Sequence, residues 1–170
     1  MKINILDIVE GTTVDGPGLR TSIYMAGCHH GCPGCHNPES WAFDGGTAMD
    51  LEEILAVVEE NDFNVTLSGG DPLYHPTETL ELCRQIKQRY GKNIWCYTGF
   101  TWEQIVASPT LRPLLDYIDV VVDGPFQLDN KQLGLRFKGS TNQRLIAVRP
   151  TLTTGQITEW ERLENNMHFK

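Results

Sequence analysis

The chain has 170 residues and a formal net charge of −8; 40% of its residues are hydrophobic and 21% are charged. This length and composition are typical of one globular domain with a real core, and they exclude a largely disordered chain. The net negative charge gives no general attraction to phosphate backbones, so we expect no nucleic acid partner.

The sequence carries no recognisable membrane or export signal. No apolar run approaches the roughly 20 residues of a membrane span, and Met1 and Lys2 lead into no signal-peptide pattern. We therefore expect a cytoplasmic protein without a membrane partner. Because there is no repeat and no Gly/Ser-rich linker, we predict a single domain over residues 1–170, with 151–170 forming a C-terminal helix or tail.

Predicted strands and helices alternate along the chain. In order, the pattern predicts a strand at 21–26, helix 51–60, strand 64–68, helix 77–90, strand 94–98, a short helix capped by Thr101 and Gln104, and strands 117–123 and 145–148. Such alternation with short connections favours parallel strands and right-handed crossovers. We predict an α/β fold, a partial (βα) barrel of about five or six mostly parallel strands, with ligands beyond their carboxyl ends.

Three of the five cysteines, Cys28, Cys32 and Cys35, lie within eight residues of each other. The glycines and proline between them allow tight wrapping, so that the three sulfurs converge. A 4Fe-4S cluster is normally saturated by four cysteines, and three leave one iron open to the amino and carboxylate groups of a small molecule. The alternatives are a zinc site completed by His29, His30 or His36, and an electron-transfer cluster that needs a fourth ligand.

The two other cysteines are predicted to be core residues. Cys83 shares a helical stripe with apolar neighbours, and Cys96 alternates into the interior of its strand. Isolated cysteines in a chain without an export signal are usually buried small hydrophobes. Neither is therefore expected to ligate a metal.

The spacing Cys-x-x-x-Cys-x-x-Cys after an early strand resembles the radical S-adenosylmethionine (SAM) superfamily. The segment 68–72, Ser-Gly-Gly-Asp-Pro, follows the next predicted strand and resembles that superfamily's glycine-glycine-acid motif, which contacts the methionine amino group. A Gly-Gly-Asp turn is common by itself. Its position after the cysteine loop, at the end of a strand, makes the pair specific.

Further segments resemble the glycyl-radical-activating subgroup. The segment 15–18, Asp-Gly-Pro-Gly, resembles its leader, although these residues also suit an ordinary turn. The resemblance to activating proteins of the anaerobic (class III) ribonucleoside-triphosphate reductase covers residues 5–148. It is carried by CPGCHN (32–37), LSGGDPL (67–73), IWCYTGF (94–100), VDGPF (122–126) and GSTNQ (139–143).

This resemblance implies an activase that reductively cleaves SAM at a 4Fe-4S cluster and generates a glycyl radical on the anaerobic reductase. It also implies an external one-electron donor, which we expect to be flavodoxin-like. The alternatives are an activase of another glycyl radical enzyme, of the pyruvate formate-lyase type, and a non-enzymatic zinc-binding adaptor.

The resemblance implies site residues as well. Cys28, Cys32 and Cys35 are the expected iron ligands. The expected SAM-binding residues are Gly34, Cys35, His36, Gly69, Gly70, Asp71, Thr98 and Asp123.

Each expected SAM contact has its own role. Gly69 and Gly70 let the backbone approach the methionine moiety, and Asp71 orients the turn. Thr98 and Asp123 are candidates for the carboxylate, amino or ribose groups, or else capping and turn residues.

Two further positions bear on the cysteine loop. Gly34 stands where the superfamily often has an aromatic residue near the adenine, which leaves the adenine to the backbone of residues 34–36. His36 is a candidate donor to a cluster sulfur or a surface residue.

Two segments near the C-terminus have less specific patterns. Arg136, Lys138, Arg144 and Arg149 form a locally basic segment, which is either a solvated face or an anion clamp and docking patch. The second pattern is a weakly amphipathic helix built on Ile157, Trp160, Leu163 and Met167.

Overall fold

The computed structural model describes residues 1–168, with side chains described through residue 165. The strands are β1 (Lys2–Thr12), β2 (Arg20–Met25), β3 (Thr47–Asp50), β4 (Asn64–Gly69), β5 (Ile94–Tyr97), β6 (Val120–Asp123) and β7 (Arg144–Ala147). The helices are α1 (Leu51–Glu60), α2 (Pro76–Tyr90), α3 (Trp102–Ala107), α4 (Val148–Thr154) and α5 (Trp160–His168).

The seven strands form one sheet in the order β3-β1-β2-β4-β5-β6-β7. The central strands β2, β4, β5 and β6 are mutually parallel. At the two sides, β1, β3 and β7 run antiparallel to their neighbours. The predicted α/β fold with parallel central strands is therefore confirmed. The sheet has seven strands rather than the five or six expected, and it is open, with β3 and β7 at its ends.

The sequence pattern missed the two strands at the β3 side of the sheet. In β1, Ile3 and Ile5 alternate into the core, but the charged residues Asp7 and Glu10 follow, and two register shifts interrupt the pairing with β2. Strand β3 has only four residues and is largely exposed. The edge strand β3 is short and buries little surface, and the register shifts in β1 interrupt its period of two, so the hydrophobic alternation of both strands is weak.

The main core lies between the sheet and helices α1, α2 and α3. Buried side chains of the strands, such as Leu67 and Cys96, pack with Leu55, Leu82 and other apolar residues of the helices. The opposite face of the sheet carries a smaller cluster. It comprises Trp95, Val120, Val122 and Leu145, packed with Tyr97, Phe137 and Trp160.

The sequence pattern predicted most ends of the strands and helices to within one or two residues, and the start of β6 is an exception. The cap at Thr101 and Gln104 is confirmed, since the Thr101 amide donates to Gln104 Oε1 at 2.9 Å. The strand predicted at 117–123 begins only at Val120. The preceding residues Arg112–Asp116 form a 3-10 turn, and Tyr117 keeps a helical backbone conformation.

The C-terminal helix α5 packs against the face of the sheet that carries the smaller cluster. The Trp160 ring lies edge-on to Trp95 with ring centroids 5.0 Å apart. The predicted helix therefore forms, beginning at Trp160 rather than at Ile157. The side chain of Met167, also part of that predicted stripe, lies outside the described residues.

Within residues 1–168, no helix has the length and apolar character needed to cross a membrane.

Candidate active site

The cysteine loop leaves the carboxyl end of β2 and is held there by backbone hydrogen bonds. The Gly27 amide donates to Ser40 O at 2.8 Å, and the Cys28 amide donates to Trp41 O at 3.2 Å. The Cys35 amide donates to Cys32 O at 3.1 Å, which closes the turn between the second and third cysteines. These bonds give the loop a fixed start and a tight end.

Two glycines of this loop adopt a backbone that other residues rarely reach. Gly31 has φ 60° and Gly34 has φ 74°, in the left-handed region that favours glycine. A Cβ on Gly34 would also lie 2.9 Å from Leu128 Cδ1. The glycine at position 34 thus lets the segment between β6 and β7 pack on the cysteine loop.

All three cysteines line one cavity of about 340 Å³ at the strand ends. Each of the three thiols is partly buried and none is in a disulfide. The predicted SAM-binding residues that also line this cavity are Cys35, His36, Gly69, Gly70 and Thr98. Gly34, Asp71 and Asp123 are not among the lining residues.

The Gly-Gly-Asp turn at the end of β4 is tied to the start of the cysteine loop. The Gly70 amide donates to Met25 O at 2.7 Å, and the Asp71 amide donates to Gly27 O at 2.9 Å. A Cβ on Gly69 would approach the Met25 backbone to 2.4 Å, and one on Gly70 would approach Gly27 O to 2.5 Å. Both glycines are therefore required by the close approach of two strand ends, whatever ligand they contact.

The carboxylate of Asp71 is buried behind the turn. Its Oδ1 accepts a hydrogen bond from the Leu73 amide at 2.9 Å. Its Oδ2 accepts from the Thr98 hydroxyl and the Gly99 amide, each at 2.9 Å, and lies 2.6 Å from His30 Nε2. The predicted role of Asp71 in orienting the turn agrees with these contacts.

Asp123, predicted as a SAM contact, is used elsewhere in the fold. Its Oδ2 accepts from the Trp102 amide at 2.8 Å, at the start of α3, and from Arg144 Nη2 at 2.6 Å. Arg144 also donates to the exposed Glu103, and this partner lowers the pKa of the Glu103 carboxyl. The structure therefore supports the capping alternative for Asp123 and gives Arg144 two carboxylates rather than a free anion site.

His36 lies at the cavity wall on the side of the β6–β7 segment. Its ring packs against Phe126 with centroids 5.1 Å apart, and it is exposed. The two rings stand together at the rim of the cavity.

The cavity lining includes residues that were not predicted as SAM contacts, among them Asp15, Tyr24 and His30. Asp15, in the Asp-Gly-Pro-Gly segment, lines the cavity beside Tyr24 of β2, and the Tyr24 hydroxyl donates to the Asp15 carboxylate. Burial, reinforced by Asp15, raises the pKa of Tyr24 to about 12. The signal for this face was the alternation of the polar residues Arg20, Ser22 and Tyr24 along one strand.

Residues 14–146 match the protein family described as "4Fe-4S single cluster domain". The chain is also 36% identical over 151 residues to the anaerobic ribonucleoside-triphosphate reductase-activating protein of Pasteurella multocida (strain Pm70). That alignment covers 83% of this chain and 95% of the relative. The chain belongs to the family of anaerobic ribonucleoside-triphosphate reductase-activating proteins.

Other members of this activating-protein family are equally similar. The relative from Escherichia coli (strain K12) is 36% identical over 142 residues, with 76% of this chain and 89% of that protein covered. The relative from Enterobacteria phage T4 is 36% identical over 141 residues, with 78% and 86% covered. The chain thus spans nearly the whole length of these activating proteins.

The fold is similar to that of a solved structure. QueE from Escherichia coli aligns with a TM-score of 0.52 over 72% of this chain and 70% of that chain, at 17% identity. At this identity the similarity concerns the fold alone, and it agrees with the α/β prediction.

The donor set of the cavity fits the cluster that the family description names. Three cysteines, which are soft thiolate donors, suit an iron–sulfur cluster. Burial raises the pKa of the Cys28 thiol to about 11. Burial thus disfavours the thiolate form, and coordination to a metal cation would offset that cost. The family match favours a 4Fe-4S cluster over the zinc alternative.

Proposed function

We propose that this chain is a radical SAM activase of anaerobic ribonucleoside-triphosphate reductase. It would cleave SAM reductively at a 4Fe-4S cluster and generate a glycyl radical on the reductase. One observation carries the proposal: three cysteines and the Gly69-Gly70 turn line a single cavity, in a chain that spans 95% of a reductase-activating protein.

The residues proposed to hold the cluster are Cys28, Cys32 and Cys35, and each would coordinate one iron. Three ligands leave one iron without a protein donor. When bound, the cluster would supply the electron for the reductive cleavage of SAM, the step that the proposal places before formation of the glycyl radical on the reductase.

The chain's own contribution is to position SAM and to exclude water from it. Gly69 and Gly70 present backbone without side chains at the cavity wall, beside the cysteine loop. We propose that the methionine part of SAM lies along this turn. The adenine would lie near Cys35 and His36, which line the same cavity.

A protein substrate fits the open side of the fold. The sheet ends at β3 and β7 without closing, and the cavity is lined by residues just after the strands, such as Gly99 and Gly124. Glycine suits hydrogen abstraction because its Cα, without a side chain, can approach closely.

We further propose that the electron comes from an external flavodoxin-type protein. The two cysteines outside the loop, Cys83 and Cys96, are fully buried in the main core. Burial raises the pKa of both thiols, so they stay protonated and are unsuited to act as ligands or relays.

We also propose one domain and a cytoplasmic location, in which all five cysteines stay reduced.

The proposal is tested by anoxic reconstitution with iron and sulfide. The protein should turn brown and hold about four irons per chain. With a strong reductant, SAM and the anaerobic reductase, it should produce a glycyl radical doublet in electron paramagnetic resonance. A colourless protein with one zinc, or a doublet on pyruvate formate-lyase but not on the reductase, would contradict the proposal.

Two cysteine variants, one test and one matched control, separate the ligands from the other cysteines. Cys32→Ser should lose iron and the glycyl radical signal together. Cys83→Ala removes a buried thiol of the helix-side core and should keep both.

A further inference from the structure

The Asp71 carboxylate joins three segments of the chain at one point. Side-chain exposure of Asp71 is only 1%. One oxygen accepts from the Leu73 amide, and the other accepts from the Thr98 hydroxyl and the Gly99 amide and meets His30 Nε2. Four donors surround the carboxylate, so both oxygens are occupied within the protein.

His30 packs its ring against two aromatic side chains. Its ring lies 5.0 Å from the Tyr74 ring and 4.8 Å from the Phe100 ring, centroid to centroid. A Cβ on Gly99 would come within 2.5 Å of the His30 ring. The imidazole therefore fills a slot between aromatic residues and a glycine that leaves room for it.

Because His30 belongs to the cysteine loop, its contact with Asp71 affects how that loop is placed. His30 is the middle residue between Cys28 and Cys32, both of which line the cavity. Asp71 directly follows Gly69 and Gly70, which line the same cavity beside the start of the cysteine loop. The contact of 2.6 Å between His30 and Asp71 thus spans the cysteine loop and the β4 turn, and Thr98 and Gly99 add the end of β5.

We propose that His30 and Asp71 are positioning residues. They lock the three-cysteine loop onto the ends of β4 and β5, and so fix the place of the cluster relative to the Gly69-Gly70 turn. Asp71 in this arrangement is an anchor for the loop and not a ligand of SAM. The proposal rests on the proposed function for the presence of the cluster, but it concerns contacts of this chain's own residues.

The first measurement is the rate at which reconstituted protein loses iron to a chelator, without SAM and without the reductase. Residues that support metal ligands typically alter metal affinity by 10–100-fold. His30→Ala and Asp71→Asn should therefore each speed iron loss roughly tenfold or more. His29→Ala is the matched control: the neighbouring His29 is exposed and packs on Phe43 at 4.4 Å, and this variant should lose iron at the unsubstituted rate.

Rescue separates positioning from general damage to the fold. In His30→Gln the side-chain amide can donate to Asp71 as the imidazole does, so iron loss should return to within about twofold of the unsubstituted rate. The double variant His30→Ala/Asp71→Asn should be no worse than the faster single variant, because His30 holds the loop through its contact with Asp71 alone. Additive effects, or a His30→Ala protein that behaves like His29→Ala, would overturn the proposal.

SAM binding to the reconstituted protein distinguishes an anchor from a ligand. If Asp71 anchors the loop, Asp71→Asn and His30→Ala should weaken SAM binding by similar factors. Weakened SAM binding in Asp71→Asn alone, with normal iron retention, would make Asp71 a SAM ligand and overturn the proposal. An unsubstituted protein that takes up no iron would instead contradict the proposed function itself.

Discussion

Arg144 on β7 donates to the buried carboxylate of Asp123 on β6, with Nη2 and Oδ2 2.6 Å apart. The side chain of Asp123 is 1% exposed and that of Arg144 is 30% exposed. The same carboxylate accepts from the first amide of α3. One ion pair thus connects the antiparallel edge strand, the last parallel strand and a helix.

Replacing Arg144 should therefore destabilise the fold. Arg144→Gln leaves the Asp123 charge buried with a weaker partner, and we expect the free energy of unfolding to fall by about 2–4 kcal/mol. Glu103→Gln removes the other, exposed partner of Arg144, and should cost less than about 1 kcal/mol. Urea denaturation of the cluster-free protein measures both. Equal losses would contradict a special role for the buried carboxylate.

The Tyr24 hydroxyl predicts a stability loss at alkaline pH. Burial raises the pKa of Tyr24 from its ordinary value of 10.0 to about 12 in the folded chain. Between these two values the unfolded chain has released the proton while the folded chain keeps it, so stability falls as pH rises from about 10 to 12. Since Tyr24 is only partly buried, we expect about 1 kcal/mol from this group.

Tyr24→Phe isolates that contribution, because other groups with raised pKa values, such as Cys28, remain in both proteins. Denaturation curves at pH 9.5 and 11.5 should give a smaller stability loss for Tyr24→Phe than for the unsubstituted chain. Parallel losses in the two proteins would contradict the assignment to Tyr24.

Gly70→Ala should disturb the site through a backbone clash. The added Cβ would lie 2.5 Å from Gly27 O and 2.7 Å from Ser40 O, and neither carbonyl belongs to a flexible side chain. We expect a destabilisation of about 1–3 kcal/mol, together with poorer iron uptake because the start of the cysteine loop must shift. Gly45→Ala is the control, since its nearest backbone oxygen is 3.1 Å away. Iron content and thermal unfolding of the two variants should differ clearly.

Local patterns predicted the parts of this fold that depend on neighbouring residues. The cysteine spacing, the helix cap at Thr101 and the strand–helix alternation that favours parallel strands could each be recognised from a few consecutive residues. The contact between His30 and Asp71 joins residues 41 positions apart, and the pattern around either residue says nothing about the other. The contacts of Asp123 could not be predicted for the same reason, because its partner Arg144 lies 21 positions away in a segment that was expected to be a solvated face or an anion clamp and docking patch.

The sequence pattern indicated that glycine is required at positions 69 and 70, but it did not show every reason for that requirement. Gly69 and Gly70 were expected to admit a ligand, and they do line the cavity. Their backbones also contact Met25 and Gly27, so part of the requirement for glycine comes from packing between strand ends. Sequence alone cannot separate these two causes, since both demand the same missing side chain.

Arg20 is a buried charged side chain whose replacement should destabilise the fold. This side chain is 1% exposed and donates to Thr66 Oγ1 and to Val65 O, each at 2.7 Å. Thr66 in turn donates to the backbone carbonyl of Asp15 at 2.8 Å. Arg20 therefore holds the Asp-Gly-Pro-Gly segment against the sheet, and with it the Asp15 carboxylate in the cavity.

Arg20→Met should lower the free energy of unfolding by about 3 kcal/mol or more, because it leaves buried acceptors unsatisfied. The control is Arg136→Met, since Arg136 is exposed and stacks on Phe137 at 4.9 Å and on Trp160 at 5.2 Å. Loss of that stacking should cost about 0.5–1 kcal/mol. Arg20 also stacks on Trp95 at 5.5 Å, so the two variants share the aromatic contact and differ in the buried hydrogen bonds. Equal denaturation midpoints for both variants would mean that those hydrogen bonds contribute nothing, and that the aromatic contact alone holds Arg20 in place.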